Sequence, residues 1–180
     1  MIAAAEMDNG SALESYEEAL RGPEAGGWKK SFAAEVKSLY DNNVYTVVDR
    51  PKIKKVVKAR WVLTRKLLPG GKLDKLKARI VAKGFTQREG IDYEETFSPT
   101  VRFESIRLLV AAAAADGLHT QQMDITTAFL YASLEEEVYM ELMEGMEGYG
   151  DPSKVARLWK AIYGLKQASR MWIMHIDRIL

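Results

Sequence analysis

Residues 122–130 read Gln-Met-Asp-Ile-Thr-Thr-Ala-Phe-Leu and place one acid, Asp124, among apolar and small side chains. The preceding segment, 103–116, predicts a helix with a buried apolar face, and Gly117 predicts the C-terminal end of that helix. The residues of this face are Ile106, Leu109, Val110 and Ala113. Residues 122–125 then predict a short strand, with Asp124 near its end and a turn after it. An acid at a strand end is commonly a helix cap or a turn former, so spacing alone leaves the role of Asp124 open.

Upstream, two strand-like runs, 59–68 and 73–85, are joined by Pro-Gly-Gly at residues 69–71, which predicts a β-hairpin. Alternation along the first run puts Trp61 and Leu63 on one face. We therefore expect a half-covered ribbon with basic residues along its exposed side. Such a ribbon is well suited to lie against phosphates.

The formal net charge of +1 conceals a strong segregation of charge along the chain. From Lys52 to Arg88 there are 13 Lys or Arg residues and one acid, a local net charge of +12. From Glu89 to Asp151 there are 14 acids and two Arg residues, a local net charge of −12. This asymmetry is typical of a protein that holds a polyanion on one surface, and two solvated faces that compensate each other are the alternative.

The rest of the chain predicts a mixture of helices and strands, hence an α+β fold. Apolar stripes predict a core helix over residues 28–41 and a second helix over residues 167–180. Their apolar residues are Trp28, Phe32, Val36, Leu39 and Tyr40 in the first, and Trp172, Ile173, Ile176 and Leu180 in the second. Strands are predicted over residues 44–48, 134–141 and 155–158.

Three stretches lack clear periodicity. Residues 88–101 and 144–153 predict irregular connections. Residues 1–27 predict a weakly structured segment, with at most a short helix over residues 12–20 that Gly22-Pro23 ends.

Metal ligands other than carboxylates are scarce in this sequence. The 180 residues contain no cysteine and two histidines, so neither a disulfide nor a zinc site is expected. The acid run Glu135 to Glu137 could supply a metal partner for Asp124. Three consecutive acids more often form a solvated turn, and we favour that interpretation.

The composition and the first residues predict a protein of the cell interior. With 47% hydrophobic residues, the chain can bury the core of one domain. No apolar run reaches the roughly 20 residues that span a bilayer, and the start lacks the basic n-region of a secretory signal. We expect no membrane partner and a location in the cytoplasm, including a virus-like particle there, or in the nucleus.

Four motifs flank the central stretch and carry a family resemblance. They are Lys-Ala-Arg-Ile-Val-Ala-Lys-Gly-Phe-Thr-Gln at 77–87, Gly-Ile-Asp-Tyr-Glu-Glu-Thr-Phe-Ser-Pro at 90–99, Glu-Val-Tyr-Met at 137–140 and Tyr-Gly-Leu-Lys-Gln-Ala-Ser-Arg at 163–170. In this order and spacing they resemble the copia-type retrotransposon reverse transcriptase, part of a Pol polyprotein. The resemblance implies that residues 28–180 are the fingers and partial palm of a right-hand polymerase, with a basic β-hairpin and packed helices.

The resemblance implies a role for four residues in and beyond the central stretch. Asp124 matches the first metal-ligating aspartate, and Ile125 matches the residue whose backbone carbonyl also reaches a metal. Phe129 matches the aromatic side chain that rejects ribonucleotides, and Gln167 matches a position near the incoming base and sugar. The implied cofactor is a pair of Mg²⁺ or Mn²⁺ ions in the full-length enzyme, since nucleotide addition uses two cations bridged by carboxylates.

It also implies roles for basic residues of the hairpin. Arg79, with Lys77 as a second candidate, would grip the triphosphate of the incoming dNTP, because a guanidinium fork matches phosphate oxygens. Arg60 and Lys83 would make general template contacts or lie in solvent. The implied partners are an RNA template, a DNA primer and dNTP, while the oligomeric state is not predicted.

The sequence departs from the family pattern in four places. Tyr131-Ala132 stands where a Gly is common, which predicts strain if that turn needs a positive φ. Leu142-Met143 replaces a Gln-Pro pair, and Ser169 replaces a Pro. The paired aspartates of the family's Tyr-x-Asp-Asp turn have no counterpart, so we expect a chain truncated before that turn and inactive alone. A non-enzymatic nucleic-acid-binding remnant and an inert pseudogene product are the alternatives.

Overall fold

The computed structural model describes residues 15–180, which form four α-helices, six β-strands and two short 3₁₀ helices. The helices are α1 Tyr16–Arg21, α2 Ala25–Asp41, α3 Phe103–Ala115 and α4 Ala168–Asp177. The strands are β1 Tyr45–Asp49, β2 Val56–Val57, β3 Ala59–Leu67, β4 Leu73–Ala82, β5 Ser133–Met140 and β6 Lys154–Lys160, and the 3₁₀ helices are Gly84–Thr86 and Ala128–Tyr131. The mixed α+β class predicted from the sequence is confirmed.

Strands β3 and β4 form the predicted hairpin as a separate two-stranded antiparallel sheet. Gly70 and Gly71 take positive φ values of 103° and 83° in the connecting turn, a conformation that glycine adopts without steric cost. The second strand ends at Ala82, three residues earlier than predicted. The chain there turns into the 3₁₀ helix Gly84–Thr86, and Phe85 is exposed.

Helix α2 covers one face of the hairpin and one edge of β4. Phe32 packs edge-on against Trp61 with ring centroids 4.8 Å apart, and Trp28 is buried beside it. At the edge, the Ser31 hydroxyl accepts the Ala78 N–H at 2.8 Å and donates to the Leu76 carbonyl at 3.2 Å. These side chains take the place of a neighbouring strand, which is one way that proteins protect a sheet edge.

The predicted apolar stripe of α2 is correct except at Tyr40. Trp28, Phe32 and Leu39 are buried and Val36 is half-buried, whereas Tyr40 is exposed in the last turn of the helix. Leu39 in the same turn is buried, so Tyr40 lies on the outer side of the helix end.

The other strands form a four-stranded sheet in the order β1-β6-β5-β2. Strand β6 pairs antiparallel with both β1 and β5, and β2 pairs parallel with β5. The three predicted strands at 44–48, 134–141 and 155–158 are therefore confirmed as β1, β5 and β6. The connections predicted at 88–101 and 144–153 contain no helix or ladder strand.

The acid run Glu135 to Glu137 was predicted to form a turn, and this is wrong, because these residues lie within β5. Ser133 pairs with Lys160 and Val138 pairs with Leu158, so the longer segment of β5 bulges out of the ladder between these two points. The bulge carries the acids, of which Glu135 is exposed while Glu136 and Glu137 are half-buried.

Two predictions around the central stretch are wrong. Helix α3 forms, but its predicted buried face is open, since Ile106, Leu109 and Val110 are 44%, 72% and 56% exposed and only Ala113 is buried. Residues 122–125 form no strand. Neither sheet of the described chain offers them a partner, and a strand without ladder hydrogen bonds is not stable in water.

Helix α4 confirms the second predicted helix, although its burial differs in detail. Ala168 and Met171 are buried, the predicted residues Trp172, Ile173 and Ile176 are half-buried, and Leu180 lies exposed beyond the helix end.

At the other end of the chain, residues 1–14 lie outside the described residues, as does the start of the predicted helix 12–20. The described part of that helix is α1, which ends before Gly22-Pro23 as predicted. Within residues 15–180, no helix has both the length and the apolar character needed to cross a bilayer.

Candidate nucleotide and nucleic-acid site

The register of the hairpin gathers basic side chains on one face. Residues directly opposite each other in an antiparallel pair share a face, and here Arg60 lies opposite Val81, and Val62 opposite Arg79. Lys77 lies opposite Thr64, and Lys66 lies opposite Lys75. The basic face, as we name it, therefore carries Arg60, Lys66, Lys75, Lys77 and Arg79. The opposite face carries Trp61, Leu63, Ala78 and Ile80 and packs toward α2.

Arg79 and Phe129, assigned from the sequence to opposite ends of a nucleotide, meet on one aromatic ring. The guanidinium carbon of Arg79 lies 5.0 Å from the centroid of the Tyr163 ring. The Phe129 ring lies edge-to-face against the same ring, with centroids 5.0 Å apart and an interplanar angle of 75°. No role was predicted for Tyr163, although the adjacent Gly164 is a sequence signal of close backbone approach.

The backbone around Tyr163 is fixed against the end of β4. The Ala82 N–H donates to the Tyr163 carbonyl at 2.8 Å. Gly164 has φ +88°, and a Cβ there would lie 2.1 Å from the Ala82 carbonyl oxygen. A Cβ on Gly84 would lie 2.1 Å from the Gly164 carbonyl oxygen. Only glycine at positions 84 and 164 allows the end of the hairpin and the loop that carries Tyr163 to approach this closely, so these two segments are in direct backbone contact.

Gln167 lies at the centre of a buried amide network and is 0% exposed. Its Oε1 accepts from Gln87 Nε2 at 3.2 Å, and its Nε2 donates to the Asp92 carbonyl at 3.1 Å and to Glu136 Oε2 at 3.3 Å. Gln87 Oε1 in turn accepts the Lys166 N–H at 2.9 Å. Both ends of the Gln167 amide are thus engaged inside the protein, and the side chain does not face solvent as a nucleotide contact would.

Asp124 and Ile125 lie in an exposed loop between α3 and the 3₁₀ helix Ala128–Tyr131. The loop ends at Thr127, which has a left-handed φ of 56°. A β-branched residue with positive φ is an outlier, and such strain often accompanies a functional loop. The strain expected at Tyr131-Ala132 is not there, since the non-glycine residues with positive φ among residues 15–180 are Asn43 and Thr127.

The described residues supply a single exposed carboxylate for a metal in this loop. Within residues 15–180 no three His, Asp or Glu side chains cluster in a way that could hold a metal ion. Mg²⁺ commonly takes one or two carboxylates and completes its shell with water and substrate phosphates. Asp124 therefore fits part of such a site.

The acid run near this loop has other partners. Glu137 forms ion pairs with Lys54 and, at 3.7 Å, with Arg157, and its Oε1 accepts the Tyr139 hydroxyl at 2.7 Å. The hydrogen bonds from Lys54 and Tyr139 hold the pKa of the Glu137 carboxyl below its usual range. Glu136 accepts from Gln167, which leaves Glu135 as the exposed acid of the run.

The remaining basic candidates lie at the base of the hairpin. Arg60 is exposed on the basic face. Lys83 follows the last residue of β4 and is half-buried, and its N–H donates to the Lys58 carbonyl at 2.7 Å. Lys77 is half-buried on the basic face. The structure thus brings Arg60, Lys77 and Arg79 to one face, while Lys83 lies at its end.

A basic ribbon on which a guanidinium stacks against an aromatic ring is suited chemically to contacts with phosphates and bases. Comparison with known sequences identifies the class more closely. The sequence model of the family described as reverse transcriptase (RNA-dependent DNA polymerase) matches residues 42–180. The match covers well over half of the chain, and the chain belongs to this family.

Similar proteins are Pol polyproteins of plant transposons. The chain is 44% identical over 167 residues to the retrovirus-related Pol polyprotein from transposon TNT 1-94 of Nicotiana tabacum, a match that covers 93% of this chain and 13% of that protein. It is 39% identical over 154 residues to the Pol polyprotein from transposon RE2 of Arabidopsis thaliana, covering 85% of this chain and 11% of that protein. The chain thus spans about an eighth of the length of these relatives. The predicted family resemblance is confirmed.

A shorter relative shares only part of the chain. It is an uncharacterized mitochondrial protein of Arabidopsis thaliana, AtMg00820, 41% identical over 95 residues, which are 53% of this chain and 54% of that protein. No solved structure gives a significant match to the chain.

Proposed function

We propose that the chain provides the nucleotide- and template-binding part, the fingers and the beginning of the palm, of an RNA-directed DNA polymerase encoded by a copia-type retrotransposon. The observation that carries the proposal is the meeting of Arg79 and Phe129 on the Tyr163 ring. A cation that can bind phosphate and a ring that can exclude a 2′-hydroxyl, both in contact with one aromatic side chain, would suit the binding of a dNTP.

In this proposal the basic face holds the phosphates. Arg79 and Lys77 bind the triphosphate of the incoming dNTP, since charge-assisted bonds to phosphate are the strongest that these side chains make. Arg60 and Lys83 contact the backbone of an RNA template paired with a DNA primer. These contacts do not depend on sequence, so they suit an enzyme that copies any template.

Asp124, with the backbone carbonyl of Ile125, would hold a divalent cation in the complete polymerase. A bound Mg²⁺ or Mn²⁺ pair neutralises the charge that develops on the phosphoryl group during transfer. Asp124 contributes one carboxylate to that pair. The 180 residues are therefore expected to bind substrates but not to polymerise them alone.

Phe129 and Gln167 would contact the nucleoside part of the incoming dNTP. The Phe129 ring would occupy the space beside the sugar 2′ carbon and so exclude a 2′-hydroxyl. Gln167 would reach the base and sugar only if its bonds to Gln87, Asp92 and Glu136 open. With those bonds intact, it supports the site through the segment that carries Tyr163.

The binding part of the proposal can be tested with a labelled RNA–DNA primer-template and fluorescence anisotropy. We expect micromolar or weaker affinity that falls steeply between 50 and 200 mM salt, because a face with five cations releases several counterions on binding. Arg60→Ala should weaken binding and flatten the salt dependence. The matched control Arg21→Ala, an exposed cation on α1, should do neither. An affinity that does not change with salt would contradict the phosphate-binding role of the basic face.

A non-enzymatic nucleic-acid-binding module is the second candidate, favoured by the basic face together with the lack, among residues 15–180, of a cluster of three acids or histidines that could hold a metal. The polymerase fragment and the nucleic-acid-binding module are distinguished by what Arg79 binds. A polymerase fragment binds dNTP in an Arg79-dependent manner, whereas a simple nucleic-acid-binding module gains nothing from a sugar-testing ring and should bind dNTP and inorganic triphosphate equally.

A further inference from the structure

The Tyr163 ring contacts two side chains that have different roles in the proposed function, Arg79 in binding the triphosphate and Phe129 in excluding a 2′-hydroxyl. Arg79 lies over the ring at 5.0 Å, and Phe129 packs edge-on against it at 5.0 Å. We propose that Tyr163 is a positioning residue whose ring sets the Arg79 guanidinium relative to the Phe129 ring. It thereby sets the spacing between the triphosphate site and the sugar site. This inference rests on the proposed function.

The Tyr163 ring can serve as a reference point because its own backbone is fixed. The Ala82 N–H donates to the Tyr163 carbonyl, and the contact of Gly164 with the Ala82 carbonyl leaves no room for a Cβ. Ala82 is the last residue of the strand that carries Arg79. Strand and ring therefore form one unit before any nucleotide binds.

Arg79 needs such a support more than a shorter side chain would. It projects from the outward face of a two-stranded ribbon, with Val62 opposite it. A free guanidinium samples many rotamers, and the entropy lost on immobilising it weakens binding. A planar guanidinium held over an aromatic face has already lost part of that freedom. The strength of such contacts corresponds to about a three- to fivefold change in affinity.

The ring of Tyr163, rather than its hydroxyl, makes both contacts. Tyr163→Phe should therefore behave as the parent, and Tyr163→Leu should lose the contacts while keeping an apolar, though shorter, side chain. Arg79→Lys keeps the charge but loses both the planar stacking on the ring and the guanidinium fork. Tyr163→Phe thus tests the hydroxyl, Tyr163→Leu tests the aromatic ring, and Arg79→Lys tests whether positive charge alone is sufficient.

The test is equilibrium binding of dATP and ATP, with Mg²⁺, to the 180-residue chain. We expect Arg79→Ala to weaken dATP binding about tenfold or more, and Tyr163→Leu and Arg79→Lys to weaken it about three- to fivefold each. Tyr163→Leu should also lower the ratio of the ATP Kd to the dATP Kd, and Phe129→Val, which removes the proposed sugar-excluding ring, should do the same. The matched control Tyr40→Leu, at an exposed tyrosine of α2, should change neither quantity.

The double variant Arg79→Ala/Tyr163→Leu decides how Tyr163 acts. If Tyr163 works through Arg79, the double variant binds dATP no more weakly than Arg79→Ala. Additive losses, or parent-like binding by Tyr163→Leu beside a weakened Arg79→Ala, would overturn the inference and leave the proposed function standing. A loss of dATP affinity with an unchanged ATP to dATP ratio would also overturn it.

Failure of the proposed function has a different signature. No dATP binding by the parent chain, or binding that Arg79→Ala leaves unchanged, overturns that function and this inference with it. Far-UV circular dichroism of every variant identifies any that does not fold. If Tyr163→Leu is one of these, Arg79→Lys decides, since parent-like dATP binding by that surface variant would overturn the inference.

Discussion

Ser31→Ala should destabilise the chain more than its small size suggests, because one hydroxyl serves two backbone groups of β4. It accepts the Ala78 N–H at 2.8 Å and donates to the Leu76 carbonyl at 3.2 Å. Ala78 is buried, so its N–H finds no water when the hydroxyl is removed. An unsatisfied buried donor costs roughly 1–3 kcal/mol, and the half-buried Leu76 carbonyl adds at most about 1 kcal/mol.

One effect opposes this loss. Alanine is a better helix former than serine by about 0.5 kcal/mol. The net decrease in the free energy of unfolding should therefore be about 0.5–3.5 kcal/mol. Ser38→Ala measures the helix-propensity term alone, since Ser38 lies on the same helix and is likewise half-buried. Against that control, Ser31→Ala should differ by about 1–4 kcal/mol.

Urea unfolding followed by tryptophan fluorescence measures this difference, because Trp28 and Trp61 lie in the core that α2 and β3 share. With a slope of about 2 kcal/mol per molar urea, the midpoints of the two variants should lie about 1 M apart. If Ser31→Ala unfolds at the same urea concentration as Ser38→Ala, the hydroxyl does not seal the β4 edge and the interpretation is wrong.

Three other outcomes are expected. Burial raises the pKa of the Glu35 carboxyl, which accepts the Ile80 N–H at 3.2 Å. The contribution of Glu35 to stability is therefore fully present below its pKa in the unfolded chain and is lost as the pH rises through its pKa in the folded protein. Glu35→Gln should thus be at least as stable as the parent at pH 7 and lose that advantage near pH 4, and an advantage that grows on acidification would refute this. Gly164→Ala should decrease the free energy of unfolding by about 1–2 kcal/mol because of its positive φ, and by about another 1–3 kcal/mol because the new Cβ overlaps Ala82. The control Gly70→Ala also has a positive φ but open space around it, so it should lose only about 1–2 kcal/mol. Equal losses for the two variants in thermal unfolding would contradict the close approach of Gly164 to Ala82. The 180-residue chain should give no primer extension on an RNA template with Mg²⁺ or Mn²⁺, and extension that Asp124→Asn abolishes would mean that another acid completes the metal site.

Periodicity was sufficient to predict the elements whose packing partners are present in residues 15–180. The alternation from Trp61 and the Pro-Gly-Gly turn predicted the hairpin, and the stripe from Trp28 predicted α2, because each pattern reflects a face that the described chain buries. The strand at 122–125 and the buried face of α3 were wrong for the same reason. Both predictions presumed a neighbour that residues 15–180 do not supply.

The site divides in the same way. Charge segregation and alternation predicted the basic face, since both can be read along one strand pair. The position of Tyr163 in the site could not be predicted from the sequence, because its contacts are distant along the chain. Arg79 lies 84 positions before it and Phe129 lies 34 positions before it. Gln167 was expected near a nucleotide, and only the fold reveals that Gln87, Asp92 and Glu136 engage its amide.

Strand β4 connects the stability of the chain with its proposed chemistry. One edge of the strand pairs with β3, and the other is held by Ser31 and Glu35 of α2. One face packs toward α2, and on the other face Arg79 lies half-buried against the Tyr163 ring. The C-terminal end is held by the Tyr163 carbonyl. With both edges, one face and one end fixed, a cation near that end has a defined position, and a two-stranded ribbon that would be marginal in isolation becomes rigid enough to present it.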